Sequence, residues 1–309
     1  MIMSKLSFNE VAERWKSDKR KYVKNSTYAV YAQLCNHYVV PFFSGRRPAE
    51  GDVQRFADSM LARGLAVKTV KDSVLVLRMI LKYGAALRCW PNIGSAVRFP
   101  TTAAGPGRPL TLPLPSRKRL VSYLAGHVSR PNLAILICMQ SGIRIGEACG
   151  LQWKDLDCSA GVIHVCKTVQ RIYLADGEVH AYFLSVDVPK TQSSVRDIPM
   201  TSQVRTIVRQ MRAGAIPEHF VLSDSDVPWE PRRLRSHFNR LLLELGIPPV
   251  RFHALRHSFA TACIASGCDY KTVSAILGHS SVSVTMDLYV HPDLEDKKRC
   301  IEKMCRTMK

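Results

Sequence analysis

The sequence predicts a mainly α-helical protein with one small antiparallel β-sheet, organised as two domains. Three observations carry this. Apolar residues recur at helical spacing through residues 1–100 and again from about 200 to the end; a run of alternating, β-branched segments is confined to 161–200; and a proline- and glycine-rich stretch interrupts the pattern at 101–115. With 309 residues, the chain is long enough for two domains that each bury a core.

The first helix is predicted from Phe8, Val11, Ala12 and Trp15, with Lys16, Lys19, Arg20 and Lys21 crowding its end. A second begins near Ser26 or Thr27, both good caps. It carries Tyr28, Tyr31, Leu34, Cys35 and Tyr38 in one stripe and should stop at Pro41. A third covers Val53 to Leu61, ended by Gly64. A fourth covers Thr69 to Leu87, with Val70, Val74, Leu77 and Leu81 inward and Lys68, Lys71, Arg78 and Lys82 outward. The expected first domain is therefore a helical bundle, residues 1–100, with a basic exterior.

TTAAGPGRPLTLPLP at 101–115 holds four prolines and two glycines, so neither helix nor sheet runs easily through it; this is the expected linker. The second domain, 116–309, opens with helices at Ser116–Gly126 and Asn132–Gln140, the latter ended by Gly142. Arg144 then starts a helix with Glu147 three residues on, so the two share a face and Glu147 can orient the guanidinium; by itself the pair reads as a surface salt bridge worth a few tenths of a kcal/mol. Leu151, Trp153 and Asp155 read as packing and turn residues.

Gly161 to Tyr173 and Ala181 to Val188 alternate around an Asp176-Gly177 turn, and VRDIPM adds a third strand, giving one antiparallel sheet. Met200 to Gly246 returns to helix and supplies Arg232, Arg233, Arg235 and Arg240. Further helices are expected through His253–Ala265 and Lys271–Leu277, with Gly278 placed for a left-handed turn; Ser281 or Ser283 caps a short helix bearing Tyr289. The tail beyond Pro292 reads as a charged amphipathic helix with Cys300, Ile301 and Met304 on one side.

Composition narrows the classes of function. The longest apolar run, Leu133 to Met139, is far short of the roughly 20 residues that cross a bilayer, and the start MIMSKLSFNEV has no apolar signal core. A cytoplasmic protein without a membrane partner is expected. Ten cysteines occur without a CxxC pair, which suggests free thiols rather than a zinc knuckle or disulfide scaffold. Net charge is +19, with 17 Lys+Arg against 7 Asp+Glu in residues 1–100 and 27 against 18 in the rest. Charge spread over both halves, with no dominant basic amphipathic helix, fits enclosure of a polyanion such as DNA better than attachment to lipid.

The densest chemistry lies between Arg251 and His291: RFHALRHSFAT, then YKTVSAILGHSS, then VTMDLYVH. His253 and Arg256 share a helix face, His279 projects from beyond a helix end, and Tyr289 follows ten residues later. Two histidines, an arginine and a tyrosine so spaced suit the grip of one phosphate. Together with SGIRIGEACGLQWKDLD and PKTQSSVRDIP, these motifs resemble the tyrosine recombinase (phage integrase) family, and AVKTVKDSVLVLRMILKYG resembles the last helices of that family's N-terminal core-binding domain.

The resemblance implies a two-domain DNA clamp and a set of catalytic residues: Tyr289, Arg144, Lys190, His253, Arg256 and His279. It implies site-specific recombination, in which Tyr289 attacks a phosphodiester and forms a 3′-phosphotyrosyl link. A phenol of pKa near 10 is only roughly 0.1% ionised at pH 7, so its activation must overcome about 4 kcal/mol, with His253 as the base. Arg144 and Arg256 would hold the non-bridging oxygens as planar forks, His279 would add a donor, and Lys190 would protonate the 5′ leaving oxygen. The covalent link conserves the bond energy, so no cofactor, metal or ATP is expected.

The implied partners are double-stranded recombination sites and a homotetramer in which the tail helix docks on a neighbouring protomer; an accessory directionality factor is admissible. The long His279–Tyr289 interval suits integrases of mobile elements, and the few residues before residue 6 leave no room for a separate arm-binding domain, which suits a simpler two-domain enzyme. A chromosome-dimer-resolving recombinase, a topoisomerase of the same chemistry and a non-catalytic DNA-binding regulator remain the alternatives.

Overall fold

A computed structural model describes residues 6–94, 96–100, 111–176, 179–188, 192–289 and 294–307. The chain forms two compact units, Met1–Pro106 with Ile172–Phe183, and Gly107–Arg171 with Leu184–Lys309.

In the first unit, α1 (Phe8–Lys19) starts at a capping box in which Ser7 and Glu10 satisfy each other's backbone N–H. Helix α2 (Asn25–Leu34) begins at Lys24 without a side-chain cap, earlier than Ser26 or Thr27 suggest. Pro41 does not end it. The helix widens into a π-turn at Cys35–Val39 and continues as α3 (Val40–Phe43), the wider turn making room beside a ring that lacks an N–H and would clash with the preceding turn. Helices α4 (Asp52–Ala62) and α5 (Val67–Ala86) complete the bundle. Its core is apolar: Phe8 stacks on Phe43 with centroids 4.4 Å apart and on Trp90 at 5.8 Å, and the Trp90 indole donates to the Leu81 carbonyl. Val70, Val74, Leu77 and Leu81 all point into it, as their spacing predicts.

The second unit is built around α7 (Arg130–Ser141), whose residues Leu133 to Cys138 are all buried. Helix α6 (Leu114–Gly126) precedes it and the short α8 (Ile145–Gly150) follows. The expected single sheet is two. Strands β1 (Leu156–Asp157), β2 (Val162–Val165) and β5 (Arg196–Pro199) form one antiparallel sheet in the order β1-β2-β5, with Ile163 opposite Ile198 and Val165 opposite Arg196. Strands β3 (Thr168–Asp176) and β4 (Val179–Asp187) form a separate two-stranded sheet. The break falls at Cys166–Lys167, where Lys167 turns back to Gln152 and Asp155 and the backbone passes so near Gly150 that a Cβ there would lie 3.2 Å from it.

Helix α9 (Ser202–Met211) and α10 (Pro231–Glu244) are separated by an irregular stretch rather than continuous helix. That stretch is held by Phe220, which bridges Gln152 and Ser225, and by Asp224, which accepts from the Trp153 indole. Helices α11 (Ala254–Ala265), α12 (Tyr270–Leu277) and α13 (Val282–Tyr289) pack on one another, and α14 (Leu294–Thr307) is the tail. No helix among the described residues is long and apolar enough to cross a membrane.

Candidate active site

Four of the six predicted residues come together in the second unit. Arg144 is the N-cap of α8: its backbone N–H donates to Glu147 Oε2 at 2.7 Å and its Nη1 to Glu147 Oε1 at 2.8 Å, while Nη2 reaches the Gly278 carbonyl at 3.3 Å. The i, i+3 relation of the sequence is therefore realised, but against a carboxylate that is only 3% exposed, so this is no solvated surface pair. Arg256, on the first turns of α11, is 2% exposed and donates to the Gly142 carbonyl at 2.9 Å. Gly142 ends α7 with φ +67°, and a Cβ there would lie 2.6 Å from Phe259 and 2.7 Å from Leu277. Only glycine lets the chain turn there and present its carbonyl to Arg256.

His253 is the N-cap of α11, its ring edge-on to His257 at 4.6 Å between centroids. Although one side of His253 is open to solvent, burial of the other pushes its pKa down to about 4, helped by His257, Arg256 and Arg144. His279 follows the left-handed Gly278 at the end of α12, and its N–H bonds back to the Ser274 carbonyl, the closing bond of a Schellman turn. Burial and then the charges of Arg256, Arg144 and Arg196 push His279 down to about 4 as well. Both imidazoles are thus neutral at pH 7. His279 Nδ1 lies 2.7 Å from Oγ1 of Thr285, which is fully buried on α13.

Tyr289 is the last residue of α13, four residues beyond Thr285; its backbone is described and its side chain lies outside the described residues. Lys190 lies outside them as well, between β4 and a short 3-10 turn at Gln192–Ser194.

Two residues that the sequence did not single out complete the cluster. Thr285 is one. The other is Arg196 on β5, whose two Nη atoms bond the two Glu147 carboxylate oxygens at 3.2 and 3.1 Å. Burial raises the pKa of Glu147, but the hydrogen bonds and charge of Arg196, and then of Arg144, outweigh it and hold the carboxyl below its ordinary range. Thr285 resembles any helix residue in the sequence; Arg196, in VRDIPM, reads as a strand residue.

The cluster opens onto two adjoining cavities that share Ile145, Arg235 and His253. One, of about 780 Å³, also takes in Arg251 and Arg256; the other, of about 850 Å³, takes in Arg144, Arg171 and Arg232. Arg232, Arg233, Arg235 and Arg240 are all exposed on α10, and Arg233 stacks over Trp229 at 4.5 Å. Fixed cations at the base and exposed ones along the rim make a receptor for an extended polyanion. Among the described residues no group of three or more His, Cys, Asp or Glu is placed to hold a metal.

Residues 117–296 match the phage integrase family profile, and residues 7–47 match the phage integrase N-terminal SAM-like domain. The chain is 24% identical over 280 residues to a tyrosine recombinase XerC-like protein of Caldanaerobacter subterraneus subsp. tengcongensis, covering 82% of this chain and 69% of that one. It is 26% identical over 179 residues to the ICEBs1 integrase of Bacillus subtilis, covering 54% of this chain and 46% of the relative. It is 27% identical over 173 residues to the transposase from transposon Tn916 of Enterococcus faecalis, covering 51% and 41%. The chain thus spans less than half the length of these last two relatives. Its fold is similar to the Tn1549 transposon integrase in complex with transposon right end DNA, with a TM-score of 0.74, 22% identity and coverage of 97% of this chain and 100% of that one. It is also similar to a lambda integrase dimer bound to a COC′ core site, with a TM-score of 0.62, 15% identity and coverage of 92% and 77%. With more than half of its length matching the family profile, and a mainly helical two-part fold to go with it, the chain belongs to the phage integrase, or tyrosine recombinase, family.

Proposed function

We propose that this protein cleaves and rejoins DNA strands at specific sites through a 3′-phosphotyrosyl intermediate at Tyr289, and that it does so to integrate and excise a mobile element. The observation that carries the reading is the juxtaposition of Arg144, Arg256, His253 and His279, with both arginines and His279 held by fixed partners and both imidazoles neutral.

Tyr289 Oη attacks the phosphorus, the bond to the 5′ oxygen breaks, and the phenol proton passes to the neutral His253. Arg144 and Arg256 hold the non-bridging oxygens, in geometry fixed before DNA arrives. A Thr285 hydroxyl that donates to His279 Nδ1, 2.7 Å away, would leave Nε2–H as a further donor to the phosphate. Lys190 supplies the proton that the 5′ oxygen leaves with. Attack by the 5′ hydroxyl of another strand on the phosphotyrosine reverses these steps and completes the exchange.

Likeness to the ICEBs1 integrase and the Tn916 transposase, and in fold to a transposon integrase seen with transposon end DNA, supports the mobile-element role. Leu294, Ile301 and Met304 lie exposed on α14, as a tail that docks on a neighbouring protomer in a DNA-bound tetramer requires.

A plasmid carrying the two DNA segments that flank the protein's own coding sequence tests the proposal. Wild-type protein is expected to release a circle joined at those segments, and Tyr289→Phe to release none. Relaxation of plasmids that lack a second site would identify a topoisomerase, resolution restricted to chromosomal dimer junctions a housekeeping recombinase, and binding without exchange a regulator; each outcome overturns the mobile-element reading.

A further inference from the structure

Arg196 is 7% exposed in its side chain and has a hydrogen-bond partner in each of three chain segments. Its two Nη atoms meet both oxygens of Glu147, the carboxylate that also grips the Arg144 guanidinium and backbone. Its Nε donates to the Ile276 carbonyl in the last turn of α12, three residues before His279. Its Nη1 also donates to the Ser194 carbonyl, in the turn that follows the Lys190 segment. The guanidinium passes so close to Gly278 that a Cβ at that position would lie 3.1 Å from it and 3.0 Å from the Ser193 carbonyl. The glycine before His279 therefore serves both the left-handed turn and the passage of this side chain.

Of the five N–H groups on a guanidinium, Arg196 directs Nε and both Nη atoms to groups that border the proposed site, and its planar fork matches a carboxylate at two points at once. We infer that Arg196 is a positioning residue for strand cleavage: through Glu147 it sets the angle of Arg144, and through Ile276 it sets the seat of His279, without itself touching DNA. This rests on the function proposed above. A lysine at this position keeps the charge, but a single ammonium cannot bond both carboxylate oxygens and the Ile276 carbonyl in the fork's geometry. Arg196→Lys should therefore leave a folded protein with a misaligned site.

The test is the single-turnover rate of covalent adduct formation on nicked element-end DNA at saturating DNA. It is run for wild type, Arg196→Lys, Arg144→Lys and the double variant, beside DNA affinity and far-UV circular dichroism. Arg196→Lys is expected to lose at least ten-fold in rate with affinity within about two-fold and an unchanged spectrum. In the Arg144→Lys background the same change should cost clearly less than it does alone, because the route through Arg144 is already broken and only the route through His279 remains. A wild-type rate in Arg196→Lys overturns the inference, as does an equal loss in both backgrounds or a parallel loss of helicity. If the wild-type protein itself forms no adduct, the proposed function falls and takes this inference with it.

Discussion

The two units differ in where they place their arginines. In the first, the core is aromatic and aliphatic and most charge sits outside, Lys68 facing Asp72 at 3.6 Å and Lys21 facing Asp18 at 3.8 Å in solvent; the buried Lys16 bonds Asn36, and the buried Asp52 is met by the exposed Arg55. In the second, Arg256 and Arg196 are buried, and a single carboxylate on Glu147 serves Arg196 and Arg144 together. Exposed pairs are worth little and are exchangeable; buried ones with directional partners fix geometry at a high cost if one member is lost. The first unit is thus suited to following a polyanion, the second to holding one phosphate still.

The largest expected effect falls on the buried side. Arg256→Ala should lower the single-turnover cleavage rate by about 100-fold or more, since a fixed donor to the transition state is lost; a loss below ten-fold would place Arg256 outside the site. Next, Glu147→Gln should destabilise the protein by about 3 kcal/mol, because Arg196 keeps its buried charge without a counter-charge. Chemical denaturation reads this directly, and an unchanged midpoint would show that the pair is dispensable.

A third effect is one of pH. His253 and His279 titrate near 4 in the folded protein and near 6.5 when unfolded. Between those values the unfolded chain binds more protons, so stability is full above about pH 6.5 and falls as the pH drops toward 4. Replacing His279 by Gln should flatten part of that slope, whereas a slope that survives both histidine replacements would assign it to other groups. The smallest effects belong to the first unit. Lys68→Ala should change stability by no more than about 0.5 kcal/mol, yet lower the salt dependence of DNA binding by close to 0.9 in log–log slope if that lysine meets a phosphate.

How far each region is legible in the sequence follows from the same contrast. Helix faces in the first unit depend on local periodicity, so Val70, Val74, Leu77 and Leu81 are found where spacing puts them. The exceptions are local devices that periodicity cannot register, such as the π-turn that carries the helix past Pro41. In the second unit, the Arg144–Glu147 pair is visible because both ends lie one helical turn apart. Arg196 is not visible, because its partners at Glu147 and Ile276 are 49 and 80 residues away and only the fold joins them. The alternation of 161–188 likewise marks strands but not where Lys167 splits them into two sheets.

The most direct measurement is covalent trapping: the protein is incubated with nicked element-end DNA in chelator, denatured, and the adduct digested and mapped by mass spectrometry beside a Tyr289→Phe control. The account predicts one denaturant-resistant adduct, a 3′-phosphoryl group on Tyr289, absent from the control. Specific binding with no adduct, or an adduct on another residue, would contradict it.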